Sequence, residues 1–187
     1  PSPEEPWSRS FNHTSPGFDP LAYAIEAAHA RGLEFHAYIN THVIWQTSTS
    51  SPAPPPAGLN PPHPYYLFAN PSDPAHREWC YTTQSGVQPL GAGEDGYLWA
   101  APGVPSFQQW VRRQILYVAR NYPVDGIHLD RIRTAGTGSY DPISVARHAG
   151  PGNPDKLGFQ AWNRDQITRF LNDVYGAIAE VNRWRPA

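Results

Sequence analysis

The sequence predicts an α/β protein, and more narrowly a part of a (β/α)8 barrel. Segments with the helical spacing of apolar residues alternate with strand-like segments, in the order helix, strand, long loop, helix, strand, loop, helix. Both strands are apolar on one face and polar on the other, which a barrel with an open mouth tolerates and a sheet covered on both faces does not. No Gly-x-Gly-x-x-Gly or Walker loop follows either strand, so a nucleotide-binding open sheet lacks its main signal.

The first helix and strand are predicted between residues 19 and 40. Asp19 and Pro20 are residue types that favour the N-cap and the first turn of a helix, and Gly32 favours its end. Residues 33–40 are then predicted to be a strand because aromatic and branched residues dominate them. A helix followed by a buried strand is the second half of a βαβ unit, so the strands are predicted to be parallel.

The segment 46–104 is predicted to be one long loop inserted after this strand. Residues 46–75 are dense in Ser, Pro, Asn and Gly, which favour turns. Residues 79–81 and 97–99 are expected to pair as a small hairpin within it. Both flanking segments continue the same helix–strand alternation, so residues 1–187 are interpreted as one domain.

The second half of the chain repeats the pattern. A helix is predicted over residues 106–121, a buried strand over 124–130, a Gly-rich loop over 134–158 and a third helix over 159–183. The third helix carries a wide apolar stripe, as helices that cover a sheet do.

Composition excludes several classes of protein. The 187 residues are 40% hydrophobic with a formal net charge of −2, which supports a globular core and offers no attraction for nucleic acid. No apolar run approaches the roughly 20 residues that span a bilayer, and no signal peptide is visible. Because the chain begins at Pro1 and contains no methionine, it is expected to be a processed or excised segment. The single cysteine, Cys80, excludes an internal disulfide and is expected to pack as a small apolar side chain.

The two predicted strands share a polar face. Side chains alternate between the faces of a strand, so residues two apart lie on the same side. The face expected to meet the covering helices holds Phe35, Ala37, Ile39, Ile127 and Leu129. The face expected to line the barrel lumen holds His36, Tyr38, Asn40, His128 and Asp130.

Asp130 is the predicted catalytic residue, because it ends its strand and barrel enzymes carry catalytic groups at the carboxyl ends of strands. The predicted substrate-binding residues suit sugar hydroxyls or the apolar faces of sugar rings: His36, Tyr38, Asn40, His42, His128, Arg133 and Trp99. Alternatively, Asp130 caps the turn or pairs with Arg131 or Arg133, and the histidines are hydrogen-bonded core residues. A zinc site of three histidines and the aspartate lacks His-x-His or His-Glu-x-x-His spacing, so no metal or cofactor is predicted.

Several blocks, in order and across nearly the whole chain, resemble the glycosyl hydrolase-like 10 family of bacterial envelope proteins. They are Glu5-Pro6-Trp7-Ser8, the segments 17–22, 29–40 and 124–130, and Trp162-Asn163-Arg164-Asp165-Gln166-Ile167. The resemblance implies a (β/α)8 barrel of which about strands 3 and 4 are present, with two strands before Pro1 and four after Ala187. It also implies a glycoside hydrolase acting on an envelope or other polysaccharide, located in the cell envelope or secreted.

Glycoside hydrolysis needs two carboxyl groups. A resemblance to the alpha-amylase clan implies that Asp130 is the nucleophile, whereas burial would make it the general acid. No second inward carboxylate occurs on either strand, and the loop residues Glu94, Asp95 and Asp141 are expected to be surface groups or turn caps. The second carboxylate is therefore expected beyond Ala187.

The sequence departs from the family at both strand ends. Arg131-Ile132-Arg133-Thr134-Ala135 stands where the family often has an aromatic residue and Ile-Arg-Tyr-Pro, and Thr41-His42-Val43 stands where Pro-aromatic-Arg is common. The substrate of relatives therefore does not transfer. Two alternatives stay open: a non-catalytic glycan-binding barrel, and a metal-dependent hydrolase or deacetylase using His36, His128 and Asp130.

Overall fold

The structure is a computed structural model and describes residues 2–90 and 96–183. Helices and strands alternate along much of the chain, which gives a mixed α/β fold. The helices are α1 (Pro20–His29), α2 (Pro64–Phe68), α3 (Pro105–Asn121), α4 (Pro142–Ala149) and α5 (Phe159–Arg183), with a 3-10 turn at Arg9–Phe11. The strands are β1 (His36–Asn40), β2 (Val43–Gln46), β3 (Tyr97–Trp99) and β4 (Gly126–Asp130).

The centre of the fold is a parallel pair of strands, as predicted. β1 lies beside β4 with Tyr38 opposite His128 and Asn40 opposite Asp130. The chain between them includes α3, so the connection is the long crossover that parallel strands require. Two parallel strands with covering helices agree with a piece of a barrel.

The segment 46–104 contains regular structure that the turn-rich composition concealed. β2 pairs with β3 in an antiparallel sheet, so the main partner of residues 97–99 is β2 and not residues 79–81. The expected hairpin is reduced to one bridge, between Cys80 and Ala100. The reason is that the chain leaving β1 turns directly into β2 and occupies the edge of β3.

Helix starts follow local capping chemistry. The Asp19 carboxylate accepts hydrogen bonds from the backbone amides of Leu21 and Ala22, both at 3.0 Å, and α1 begins at Pro20 as predicted. Asp141 and Pro142 begin α4 in the same way, inside the segment predicted as a Gly-rich loop. The signal for α4 was present in the sequence, but the surrounding glycines and the short length of the helix obscured it.

The main core lies between α3, α5 and the β2–β3 sheet. Its fully buried aromatic residues include Trp79 and Phe107, and Cys80 packs among them with no exposed surface, as expected. Burial of each large apolar side chain contributes roughly 1.5–3 kcal/mol. A second, smaller cluster of Ile25, Ala37 and Val124 joins α1 to the amino ends of β1 and β4. None of the helices in the described part of the chain is both long and apolar enough to cross a membrane.

Candidate functional site

The strand-end row is the polar surface formed by Tyr38, Asn40, His128 and Asp130. These four side chains lie on one face because β1 and β4 pair in register and side chains alternate along each strand. The row ends at the carboxyl ends of both strands, with Asn40 directly opposite Asp130. The sequence predicted this grouping, and the structure brings these four residues together.

Asp130 is held as an ionised carboxylate. The Tyr38 hydroxyl donates to its Oδ2, and the Nε of Arg131 lies 3.5 Å from the same oxygen. The hydrogen bond from Tyr38, then the backbone amide of Arg131 and the charges of Arg131 and Arg133, lower the pKa of the Asp130 carboxyl below its ordinary value. The side chain keeps 31% of its surface exposed, so a ligand can reach it. An ionised, accessible carboxylate suits a nucleophile or a stabiliser of positive charge, and not a general acid.

Tyr38 and His128 form an exposed pair of stacked rings beside the carboxylate. Their rings stack with centroids 5.3 Å apart and an interplanar angle of 12°. Tyr38 is 59% exposed although it is a large aromatic residue, and its hydroxyl lies 3.5 Å from the side-chain oxygen of Asn40. The hydrogen bond to Asp130 raises the pKa of the Tyr38 hydroxyl, which therefore stays protonated and continues to donate.

The guanidinium groups of two arginines that follow β4 lie over aromatic rings of β3. The Arg131 guanidinium lies 4.6 Å from the ring centroid of Tyr97 and donates to the Tyr97 hydroxyl at 3.0 Å. The Arg133 guanidinium lies 5.3 Å from the ring centroid of Trp99. The sequence offered Arg131 only as an alternative ion-pair partner of Asp130, and that pair is present. Tyr97 had no signal in the sequence, because its contact with Arg131 requires the β2–β3 sheet to fold over the end of β4.

Trp99 lies beneath Arg133 and not on an open surface. It is only 7% exposed, so its ring supports the arginine and has no free face for a sugar. Arg133 itself is exposed. Of these two predicted binding residues, the structure leaves only Arg133 available to a ligand beside Asp130.

His36 is on the predicted face but at the opposite end of the strand. It pairs with Gly126, four residues before the Asn40–Asp130 pair, which is a separation of about 13 Å along a strand. Its Nε2 lies 3.1 Å from a carboxylate oxygen of Glu34. His36 therefore does not join the strand-end row.

His42 is a core residue. It is 1% exposed, and its ring packs edge-on against Phe107 and Phe170 with centroids 5.5 and 5.8 Å away. Burial lowers the pKa of His42 to about 4, so the ring is neutral at physiological pH. The strand-end row ends before His42. The amide and the hydroxyl of Thr41 both donate to the carbonyl of Asp130 at 2.9 Å, and the chain then turns into β2.

The loop carboxylates do not join the row either. Asp141 is the predicted turn cap, but it is buried: its two oxygens accept from the Ser139 hydroxyl and the Ser144 amide, both at 2.8 Å. Glu94 and Asp95 lie outside the described residues. Within residues 2–90 and 96–183, no three His, Cys, Asp or Glu side chains are grouped closely enough to hold a metal ion.

Comparison with known proteins identifies the family and relatives of the chain. The glycosyl hydrolase-like 10 profile matches residues 2–182. The chain is 26% identical over 190 residues to glycosyl hydrolase YngK of Bacillus subtilis (strain 168), covering 98% of this chain and 31% of that protein. It is 27% identical over 133 residues to glycosyl hydrolase DigH of Escherichia coli (strain K12), covering 70% of this chain and 27% of that protein. The chain thus spans less than a third of either relative.

A solved structure shares the fold. Alpha-L-fucosidase isoenzyme 2 from Paenibacillus thiaminolyticus aligns with a TM-score of 0.53 and 23% sequence identity, over 89% of this chain and 22% of that one. The parallel strands, the polar row at their carboxyl ends and the family profile lead to one conclusion. The chain belongs to the glycosyl hydrolase-like 10 family.

Proposed function

We propose that this chain contributes the Asp130 side of a glycoside hydrolase active site that cleaves a polysaccharide or oligosaccharide. The observation that carries the proposal is the ionised, accessible carboxylate of Asp130 at the carboxyl end of β4, the position of catalytic groups in barrel enzymes. The family and the names of the relatives support the same class of reaction. The finer fold proposed with it is a (β/α)8 barrel in which β1 and β4 are strands 3 and 4.

The proposed chemistry uses Asp130 in its charged form. In a retaining reaction, its carboxylate attacks the anomeric carbon while a second carboxyl group protonates the departing glycosidic oxygen; water then releases the sugar. In an inverting reaction, the carboxylate takes a proton from the attacking water instead. In both cases the second group is an acid on another segment, because the strand-end row holds Asp130 as its sole carboxylate.

The neighbouring side chains have separate proposed roles. The stacked rings of Tyr38 and His128 offer a platform for the apolar face of a sugar. Asn40 supplies an amide for a sugar hydroxyl, and Arg133 supplies an exposed cation. The Tyr38 hydroxyl first, and then Arg131, which is fixed over Tyr97, lower the pKa of Asp130; Arg131 therefore acts as a positioning residue.

The test is cleavage by the full-length protein, wild type against Asp130→Asn, on a panel of envelope polysaccharides and peptidoglycan. Asp130→Asn keeps the size of the side chain and removes its charge, so product formation is expected to fall by at least about 10³-fold. Asp173→Asn is the matched control, because Asp173 is an exposed aspartate of α5 paired with Arg112. Equal cleavage by wild type and Asp130→Asn would exclude the catalytic role.

The same experiment decides between cleavage and binding alone. The contacts that hold Asp130 ionised would also suit a residue that only accepts hydrogen bonds from sugar hydroxyls. In that case wild type binds the glycan without releasing product, and Asp130→Asn lowers affinity. We propose a location in the cell envelope or outside the cell for either activity; fractionation of cells followed by immunodetection tests it.

A further inference from the structure

A cavity of about 470 Å³ lies on the helix side of β1, away from the strand-end row. Its walls come from residues 2–13, the start of α1, β2 and the inner side of α3. Ile39, which faces the helices, lines it, and Asn40 is the sole row residue that also reaches it. The volume is within the range of small-ligand sites, about 300–1,000 Å³.

Three half-buried indole rings line the cavity: Trp7, Trp45 and Trp110. Trp45 is a fixed part of the wall: its Nε1 donates to the carbonyl of Ala53 at 2.9 Å, the Arg9 guanidinium lies 5.5 Å from its ring centroid, and the His63 ring packs edge-on against it at 5.4 Å. Rigid aromatic rings in a cavity lose little conformational entropy when they bind a flat ligand.

Two histidines supply a donor and an acceptor. The His63 Nδ1 accepts from the backbone amide of Tyr65 at 3.1 Å, so the neutral ring carries its proton on Nε2. Burial lowers the pKa of His63 to about 4, which keeps it neutral. The His13 Nδ1 lies 2.8 Å from the carbonyl of Trp7 and must donate to it, which leaves the Nε2 of its neutral form as an acceptor.

Glu5 adds a carboxyl group to the same wall. Its side chain is half-buried and lines the cavity. Burial raises the pKa of the Glu5 carboxyl. Burial of a carboxyl carries a desolvation cost, which a hydrogen bond from a ligand hydroxyl would reduce.

We propose that this cavity binds one pyranosyl unit of a glycan, with the apolar face of the sugar ring against the Trp7 indole and its hydroxyls on His13, His63 and Glu5. Indole rings match the C–H face of a pyranose, and a carboxyl with two imidazoles offers donors and acceptors to several hydroxyls at once. The choice of a sugar rests on the proposed function. The cavity is a second site, since only Asn40 links it to Asp130.

The test measures the affinity of the full-length protein for peptidoglycan strands, chitotetraose, cellotetraose and maltotetraose by titration calorimetry. Trp7→Ala removes an indole face, and Glu5→Gln replaces the carboxyl by an amide of the same size; each is expected to weaken binding of the preferred probe about tenfold. Phe18→Ala is the matched control, because Phe18 is an exposed aromatic residue five positions after His13 that does not line the cavity, and it is expected to leave affinity unchanged. Circular dichroism checks that each variant is folded.

Cleavage measured in parallel separates this proposal from the one above. If folded Trp7→Ala and Glu5→Gln both bind like wild type while Asp130→Asn stops cleavage, the cavity site is wrong and the proposed function stands. If wild type cleaves nothing but binding still depends on Trp7 and Glu5, the cavity site stands without the catalytic one. Failure of all four probes to bind wild type at millimolar concentration would overturn the cavity site.

Discussion

The strand-end row and the buried polar groups of this protein contain the same residue types in opposite circumstances. Asp130 and His128 lie in the open, and their contacts leave much of their surface free. Asp141 and His42 are each 1% exposed; Asp141 has both oxygens occupied and His42 is packed between two phenylalanine rings. The difference shows that polarity and position beside a strand do not decide whether a ligand can reach a side chain. The segments that pack over it decide that.

The largest contrast is expected between Asp130→Asn and Asp141→Asn. Asp130→Asn should remove cleavage and leave the melting temperature nearly unchanged. Asp141→Asn should lower the free energy of unfolding by about 1–3 kcal/mol, because a buried cap loses an acceptor, and should leave the activity of the folded fraction near wild type. Thermal denaturation and initial rates on the same preparations measure both. Reversed outcomes for the two variants would contradict the catalytic role of Asp130 and the structural role of Asp141.

His42 should make the protein sensitive to acid. Its folded-state pKa, about 4, lies below the ordinary 6.5, so the unfolded chain binds a proton that the folded chain excludes. The contribution of His42 to the free energy of unfolding is therefore fully present above pH 6.5. It falls by about 3 kcal/mol as the pH drops towards 4.

His42→Leu is expected to flatten that part of the stability profile, because leucine fills a similar volume and does not titrate. Urea denaturation at pH 4 and pH 7 gives the difference in each protein. The same pH dependence in the variant and in wild type would show that His42 is not the group responsible.

Tyr38→Phe tests how one residue of the strand-end row controls the protonation of another. The tyrosine hydrogen bond is the first cause of the lowered pKa of Asp130, so its loss raises that pKa towards the ordinary value. The acid limb of kcat/KM should then move to higher pH, while the rate at neutral pH falls by less than about tenfold. An unshifted acid limb would show that the Tyr38 hydroxyl does not lower the pKa of Asp130.

The smallest effect is expected from His128→Ala. The ring stacks on Tyr38 and faces solvent, so its loss removes part of a sugar platform and no buried packing. KM should rise a few-fold, since a weak stacking contact of about 1 kcal/mol is lost, and kcat should change little. Steady-state kinetics on the preferred substrate measures KM and kcat separately. A large fall in kcat would show that His128 takes part in the chemical step instead.

Local chemistry in the sequence was enough to predict the framework. The Asp19-Pro20 cap, the apolar spacing of α3 and α5 and the alternation in β1 and β4 are properties of neighbouring residues, and the corresponding elements are confirmed. The family resemblance is confirmed as well. The row of Tyr38, Asn40, His128 and Asp130 follows from alternation combined with parallel pairing.

Tertiary structure decided which polar residues remain accessible. His42 follows Asn40 by two positions, and alternation alone would put it in the row; the turn at Thr41 and the β2–β3 sheet bury it instead. Trp99 is covered by Arg133, and Arg131 is fixed by Tyr97, through contacts between segments more than thirty residues apart. Sequence periodicity determines the face of a strand to which a side chain belongs, but burial depends on which distant segment packs over that face.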